Sequence, residues 1–321
     1  MAATRLTDAL IRFDAWSGVL VLTFHRIGRP EESALDPDVF SATPEAFQAQ
    51  METLAAHFEV IAAHDLDRAF TGRRSRAVVI TFDDGYRDNF VHALPVLRRL
   101  GLPATFFLTA GFLDRPRLPW WDEVVWRVGS DSLAPRKLAE QLRLDLPVES
   151  PAAASATLLE RYKRLPQAAA EELLERVREV AGEPAGPIEA EELWMTWDMV
   201  RGLVDAGLDV GAHTMTHPVL TALGEDEQDD EIGRSLERVK QEVGRSTALF
   251  AYPVGLPFTY DSVTRRALAR HGVRYAFAFS GGYIRGPAFD RYAVPRTSVS
   301  AGMSLSRFGS LTALPRVFAR W

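Results

Sequence analysis

The run VVITFDDG, Val78–Gly85, constrains the fold of this chain more than any other stretch. Val78, Val79, Ile80 and Phe82 are β-branched or aromatic and do not alternate with polar residues, so the strand they predict is covered on both faces, as in a parallel sheet or barrel. Comparable runs recur at Val19–Phe24, Phe58–Ala62, Ala104–Thr109, Leu208–Ala212, Ala248–Tyr252, Tyr275–Phe279 and Tyr292–Val294. Most are separated by segments of helical period. GEDEQDDEIGRSLERVKQEVG places Ile232, Leu236, Val239 and Val243 on one face behind an acidic first turn, which reads as a solvated helix start. DSVTRRALARHG offers Asp261 as N-cap and Gly272 as stop. Alternating β and α units predict a (β/α) barrel with polar groups at its strand ends.

The alternation breaks between about Leu113 and Glu191, where LPWWDEVVW leads into an Ala-, Glu- and Arg-rich stretch. This reads as a helical insertion, residues 113–191, within a single domain spanning 1–321. A hydrophobic content of 47% supports one sizeable core. With 37 basic and 43 acidic residues, a net charge of −6 and no long basic run, nucleic acid is disfavoured as a partner. Cysteine is absent, so any metal ligands must be His, Asp or Glu. Asp8, Arg12 and Asp14 interrupt the place where a signal peptide needs a continuous apolar core, and no apolar span of about 20 residues occurs. The expectation is a cytoplasmic protein without a transmembrane segment. Its first helix would pack on its own domain, with a peripheral role on the inner membrane face through Leu6, Leu10 and Phe13 as the lesser reading.

Asp83 and Asp84 end the strand side by side. Two such carboxylates repel and call for a positive partner. A second strand end, LDVGAHTMTHPVL, carries His213 and His217, and Pro218 disfavours helical geometry at His217, so the pair belongs on a loop. The spacing of the pair is weak evidence alone. Two imidazoles and one carboxylate, however, make a facial metal site with open positions. If Asp84 joins His213 and His217 on a divalent ion, Asp83 is left free as a general base for hydrolysis. The bland reading, a DDG turn with Asp side chains on backbone N–H groups, loses weight once both strand ends are taken together.

TFDDG (Thr81–Gly85) and HTMTH (His213–His217) resemble the first two motifs of the polysaccharide deacetylase family, the NodB homology domain of carbohydrate esterase family 4. VLTFHRIG, ALPVLRRLGLPATFF, MTWDMVRGLVDAGLDVGAH and FAYPVG extend the resemblance from about residue 17 to residue 300. It implies a distorted (β/α) barrel, a divalent metal (commonly zinc, with cobalt, nickel or manganese also compatible with these donors), and removal of an acetyl group from an N-acetylated sugar in a polysaccharide or in a glycan or glycolipid precursor of the cell envelope. Carried over, Asp83 is the base, and Asp84, His213 and His217 are the ligands.

Two departures stand beside these matches. FAYPVG has Ala251 where the family's third motif usually carries an Arg that orients the base, a form shared by a FAYP-type subgroup that includes biofilm-polysaccharide deacetylases. Arg296, in VPRTSV, is the expected substitute contact for Asp83. The family's last motif supplies a His as general acid, and here the only later His is His271, at a helix end. His25, in LTFHRIG, is the candidate acid or substrate contact. The backbone N–H near Val254 is a candidate for stabilising the oxyanion. Tyr252, Trp120 and Trp121 are candidates for the substrate cleft, with packing the stronger reading for the tryptophans. Two alternative functions are hydrolysis of another carbon–nitrogen bond, such as a cyclic amide or ureide, and a catalytically silent sugar-binding barrel.

Overall fold

A computed structural model describes residues 16–71, 76–182 and 188–319. The expected first helix, with Leu6, Leu10 and Phe13, lies outside the described residues. Eight parallel strands form a distorted (β/α) barrel: β1 (Gly18–Phe24), β2 (Arg76–Phe82), β3 (Thr105–Leu108), β4 (Asp209–Ala212), β5 (Leu249–Ala251), β6 (Tyr275–Ala278), β7 (Val294–Pro295) and β8 (Thr297–Ser298). Their order is β7-β6-β5-β4-β3-β2-β1-β8. One segment, Val294–Ser298, supplies both edges: Val294 pairs with Phe277 of β6, and Thr297 with Leu22 of β1. The ring therefore closes at Arg296, between the two short strands. The run Phe58–Ala62 yields only a two-residue strand, Glu59–Val60, beside the lower half of β2. The upper half is already taken by β3, which leaves no room for a longer pairing there.

The unbroken apolar character of the strands follows from burial on both faces. Val19, Val21, Ala77, Val79 and Phe277 belong to one buried cluster, and Leu20, Leu22, Val78, Ile80 and Phe82 to another. Alternation of strand side chains places the first set inside the barrel and the second beneath the helices. Thr23 and Thr81, 3.3 Å apart through their hydroxyls, continue the inner face toward the C-terminal rim. Asp83 is next on that face. Gly211 lets β4 approach β3, because a Cβ there would lie 2.6 Å from the Phe107 ring.

The helices named here are α1 (Pro44–His57), α2 (Leu94–Leu100), α3 (Trp120–Ser130), α4 (Ala134–Leu142), α5 (Pro151–Tyr162), α6 (Gln167–Ala181), α7 (Trp197–Asp205), α8 (Glu225–Val243), α9 (Ser262–Arg270) and α10 (Leu305–Ala313). Helices α3–α6 lie between β3 and β4 and share their own apolar cluster, including Trp120, Val124, Leu138, Leu158, Leu174 and Val177. Asp261 caps α9 by accepting from the Val263 and Thr264 amides, and Gly272 follows with φ 73°. No helix of the described residues is long and apolar enough to cross a membrane.

Candidate metal centre and active site

Asp83 and Asp84 follow the last residue of β2, Phe82. The Asp83 amide donates to the Phe24 carbonyl at 3.0 Å, which extends the β1–β2 ladder by one residue. Asp84 then adopts φ 75° and Gly85 φ 93°, turning the chain. Five non-glycine residues with positive φ occur among the described residues, and four of them, Asp84, Thr214, His217 and Val254, surround this site. Such backbone is costly for side-chain-bearing residues and is retained where the surrounding structure over-determines it.

Asp84, His213 and His217 converge, with one ligand atom from each lying within 4.8 Å of the others. His213 Nε2 is 3.3 Å and His217 Nε2 3.4 Å from the same oxygen, Asp84 Oδ1. His213 Nδ1 lies 2.7 Å from the Ala251 carbonyl and donates to it, so in the neutral ring Nε2 presents a lone pair to the carboxylate. Acceptors facing acceptors require a cation between them. Asp84 Oδ1 is buried without a hydrogen bond, as a metal ligand would be. The donor set and geometry therefore fit a divalent ion.

The ionisation pattern points the same way. Burial alone would raise the Asp84 pKa, but the neighbouring rings of His213 and His217 bring it down to about 2. Burial takes His217 down to about 3, so its ring is neutral and available as a ligand. Burial also opposes charge on His213, yet the two aspartates draw its pKa upward. Both carboxylates thus compete for positive charge in a largely buried site.

Asp83 lines the same cavity as the ligands and pairs with Arg296. The guanidinium Nη1 donates to Asp83 Oδ1 at 2.6 Å and Nη2 to Oδ2 at 2.7 Å, a bidentate pair with Arg296 1% exposed. Burial would raise the Asp83 pKa, but Arg296 and then His213 hold it below the ordinary carboxylate value. The strand sequence explains how Arg296 gets there: it occupies the break between β7 and β8, where the barrel closes, and its Nη1 also donates to Thr81 at 3.4 Å. Ala251, the position that lacks an arginine, ends β5 and supplies only its carbonyl, to His213.

The remaining candidates line one cavity of about 320 Å³ above these groups. His25 Nε2 stands 3.9 Å from Asp83 Oδ2. Val254, at φ 61°, lies in the wall, and its amide makes no hydrogen bond among the described residues. The Tyr252 ring stacks on Tyr260 at 4.0 Å, and its hydroxyl donates to the Tyr292 carbonyl at 2.8 Å, so that hydroxyl is already engaged. The Trp121 ring sits 4.5 Å from that of His217, and its Nε1 donates to the Tyr86 hydroxyl at 3.1 Å. Trp120 stacks on Tyr162 at 4.2 Å. Both tryptophans therefore pack and also line the cavity. His271 lies away from the cavity, against Asp229 at 3.0 Å.

Sequence reasoning missed two supports. Glu231, read as part of a solvated helix start, clamps the histidine loop: Oε2 accepts from the Met215 amide at 2.8 Å and the Thr216 amide at 2.9 Å, and Oε1 from the Thr216 hydroxyl at 2.8 Å. Its place nearly two turns into α8, beside Ile232 on the buried face, was the available signal. Asp36 also lines the cavity, and its amide donates at 2.9 Å to Asp122 Oδ1 of α3. Nothing local in the sequence announces that contact.

The family model for polysaccharide deacetylase matches residues 71–276, well over half of the chain. This chain belongs to the polysaccharide deacetylase family. Among relatives of this family, a Bacillus subtilis (strain 168) protein named "Putative polysaccharide deacetylase YxkH" is 23% identical over 235 residues, 73% of this chain. The match spans 56% of that protein's length, so this chain corresponds to little more than half of it. Streptococcus pyogenes deacetylase PplD, solved in complex with acetate, superposes with a TM-score of 0.58 at 18% identity over 89% of this chain and 94% of its own. IcaB from Ammonifex degensii gives 0.58 at 18% over 94% and 98%. At such identities these two likenesses establish the barrel fold.

Proposed function

We propose that this chain is a metal-dependent hydrolase that removes the N-acetyl group from an N-acetylated sugar of a polysaccharide or glycan precursor. The whole chain acts as one catalytic domain, with residues 113–191 as a helical insertion. The observation that carries the reading is the division of labour between neighbouring aspartates in one cavity: Asp84 joins two imidazoles, and Asp83 is paired with Arg296. Family membership supplies the class of bond.

Asp84, His213 and His217 would hold the ion, with zinc the first choice for such donors. Bound there, a divalent ion supplies Lewis-acid polarisation of the acetamide carbonyl and lowers the pKa of water. Asp83, kept ionised by Arg296, accepts a proton from the attacking water. The water oxygen bonds to the acetyl carbon, and the free amide of Val254 donates to the carbonyl oxygen as it gains charge. His25, 29% exposed at the cavity and 3.9 Å from Asp83, gives a proton to the leaving amine as the C–N bond breaks and acetate departs. Trp121 and Tyr252 exclude water from the floor.

Acetate release from N-acetylglucosamine oligomers, with and without chelator, tests the reading. Turnover that chelator abolishes and added zinc restores is expected. Turnover indifferent to chelator, or metal and glycan binding without turnover, would refute it.

A further inference from the structure

The mouth of the barrel is asymmetric. Taking Val294–Ser298 as one place, the strands form a ring of seven, with α3–α6 departing after the third place and Phe279 and Arg296 at the sixth and seventh. The insertion and the closing seam therefore face each other across the mouth. The insertion side is walled: the Asp36 amide is tied to Asp122 at 2.9 Å, and Lys163, held by Glu160 at 2.8 Å, lines the cavity there. On the seam side a second cavity of about 280 Å³ adjoins the first, sharing Phe279 and Arg296 with it.

This second cavity has the composition of a sugar site. Ser298 and Ser300 supply hydroxyls and Arg307 a guanidinium, and none of these side chains is engaged among the described residues. Phe318, 48% exposed, and Met303 supply an apolar face. A sugar ring presents the complementary pair of surfaces, a C–H face and a rim of hydroxyls. Each cavity is near the lower end of the range of roughly 300–1,000 Å³ for small-ligand sites, which suits one ring apiece and not a running chain.

We infer that the second cavity binds the single sugar unit next to the N-acetylated residue under attack, and that the enzyme consequently acts on an end unit of a short glycan. The inference rests on the function proposed above. N-acetylglucosamine and its oligomers of two to five units test it by calorimetric affinity and by mass spectrometry of the deacetylated products. The dimer is expected to bind about tenfold tighter than the monosaccharide, with no further gain for longer oligomers. Phe318→Ala and Arg307→Ala should each abolish that gain and leave monosaccharide affinity unchanged, and acetate should come from one terminal residue. Equal affinities for monomer and dimer, a gain that continues to the pentamer with internal residues deacetylated, or variants that keep the gain would overturn it. If no acetate is released from any oligomer, the proposed function fails, while the affinity series still decides the fate of the second cavity.

Discussion

Asp83 on the cavity floor and Asp122 in the helical wall are both buried carboxylates, and their surroundings treat them in opposite ways. Asp83 has both oxygens on one guanidinium and stays ionised. Asp122 has Oδ1 on the Asp36 amide but Oδ2 buried without a partner, and burial pushes its pKa up to about 7, with Asp36 and Asp84 adding to the rise. A buried charge with a matched partner is retained for chemistry; one without a partner tends to give up the charge. The floor is thus built to hold charge, whereas the wall holds a contact between segments distant in sequence.

The sharpest way to break this comparison is Asp83→Asn, which keeps the shape and removes the base. Deacetylation should fall about 10²- to 10⁴-fold with the fold intact by circular dichroism. Arg296→Ala comes next. It leaves Asp83 buried and unpaired, so stability in urea should drop by about 3–5 kcal/mol, and the acidic limb of the pH–activity profile should move to higher pH as the Asp83 pKa rises. Arg296→Lys should recover only part of this, because an ammonium cannot serve both oxygens in the same fork.

Glu231→Ala should weaken metal affinity by about 10- to 100-fold in competition with a chelating dye, since the loop carrying His213 and His217 loses three hydrogen bonds. Asp122→Asn should have the smallest effect and the opposite sign. In the native chain Asp122 holds a proton up to about pH 7, whereas unfolded it releases one near pH 4. Stability therefore falls as pH rises between those values, and the destabilisation is full above pH 7. The Asn variant, which keeps an acceptor for the Asp36 amide, should melt higher than wild type at pH 8 and converge with it below about pH 4.

The same contrast explains what was legible in the sequence. The floor comes from strand ends, where apolar runs predict the strand and the next residue is the functional one. Asp83, Asp84, His213 and His217 were therefore visible as a group. Arg296 was visible only because Ala251 left Asp83 without its usual partner and one other strand end offered an arginine. The wall depends on contacts between remote segments, such as Asp36 with Asp122 across 86 positions. Glu231 was hidden for a related reason: an acidic helix start looks solvated until the loop that folds against it is known. The run Phe58–Ala62 has strand composition, but neighbouring strands leave it room for only two paired residues.

Elemental analysis of the purified wild type, Asp83→Asn and Asp84→Asn proteins tests the central claim most directly. One divalent ion per chain in wild type and Asp83→Asn, and none in Asp84→Asn, is the predicted result. Wild-type protein that binds no divalent ion when it is supplied, or equal loss of metal in both variants, would contradict the division of roles between the two aspartates.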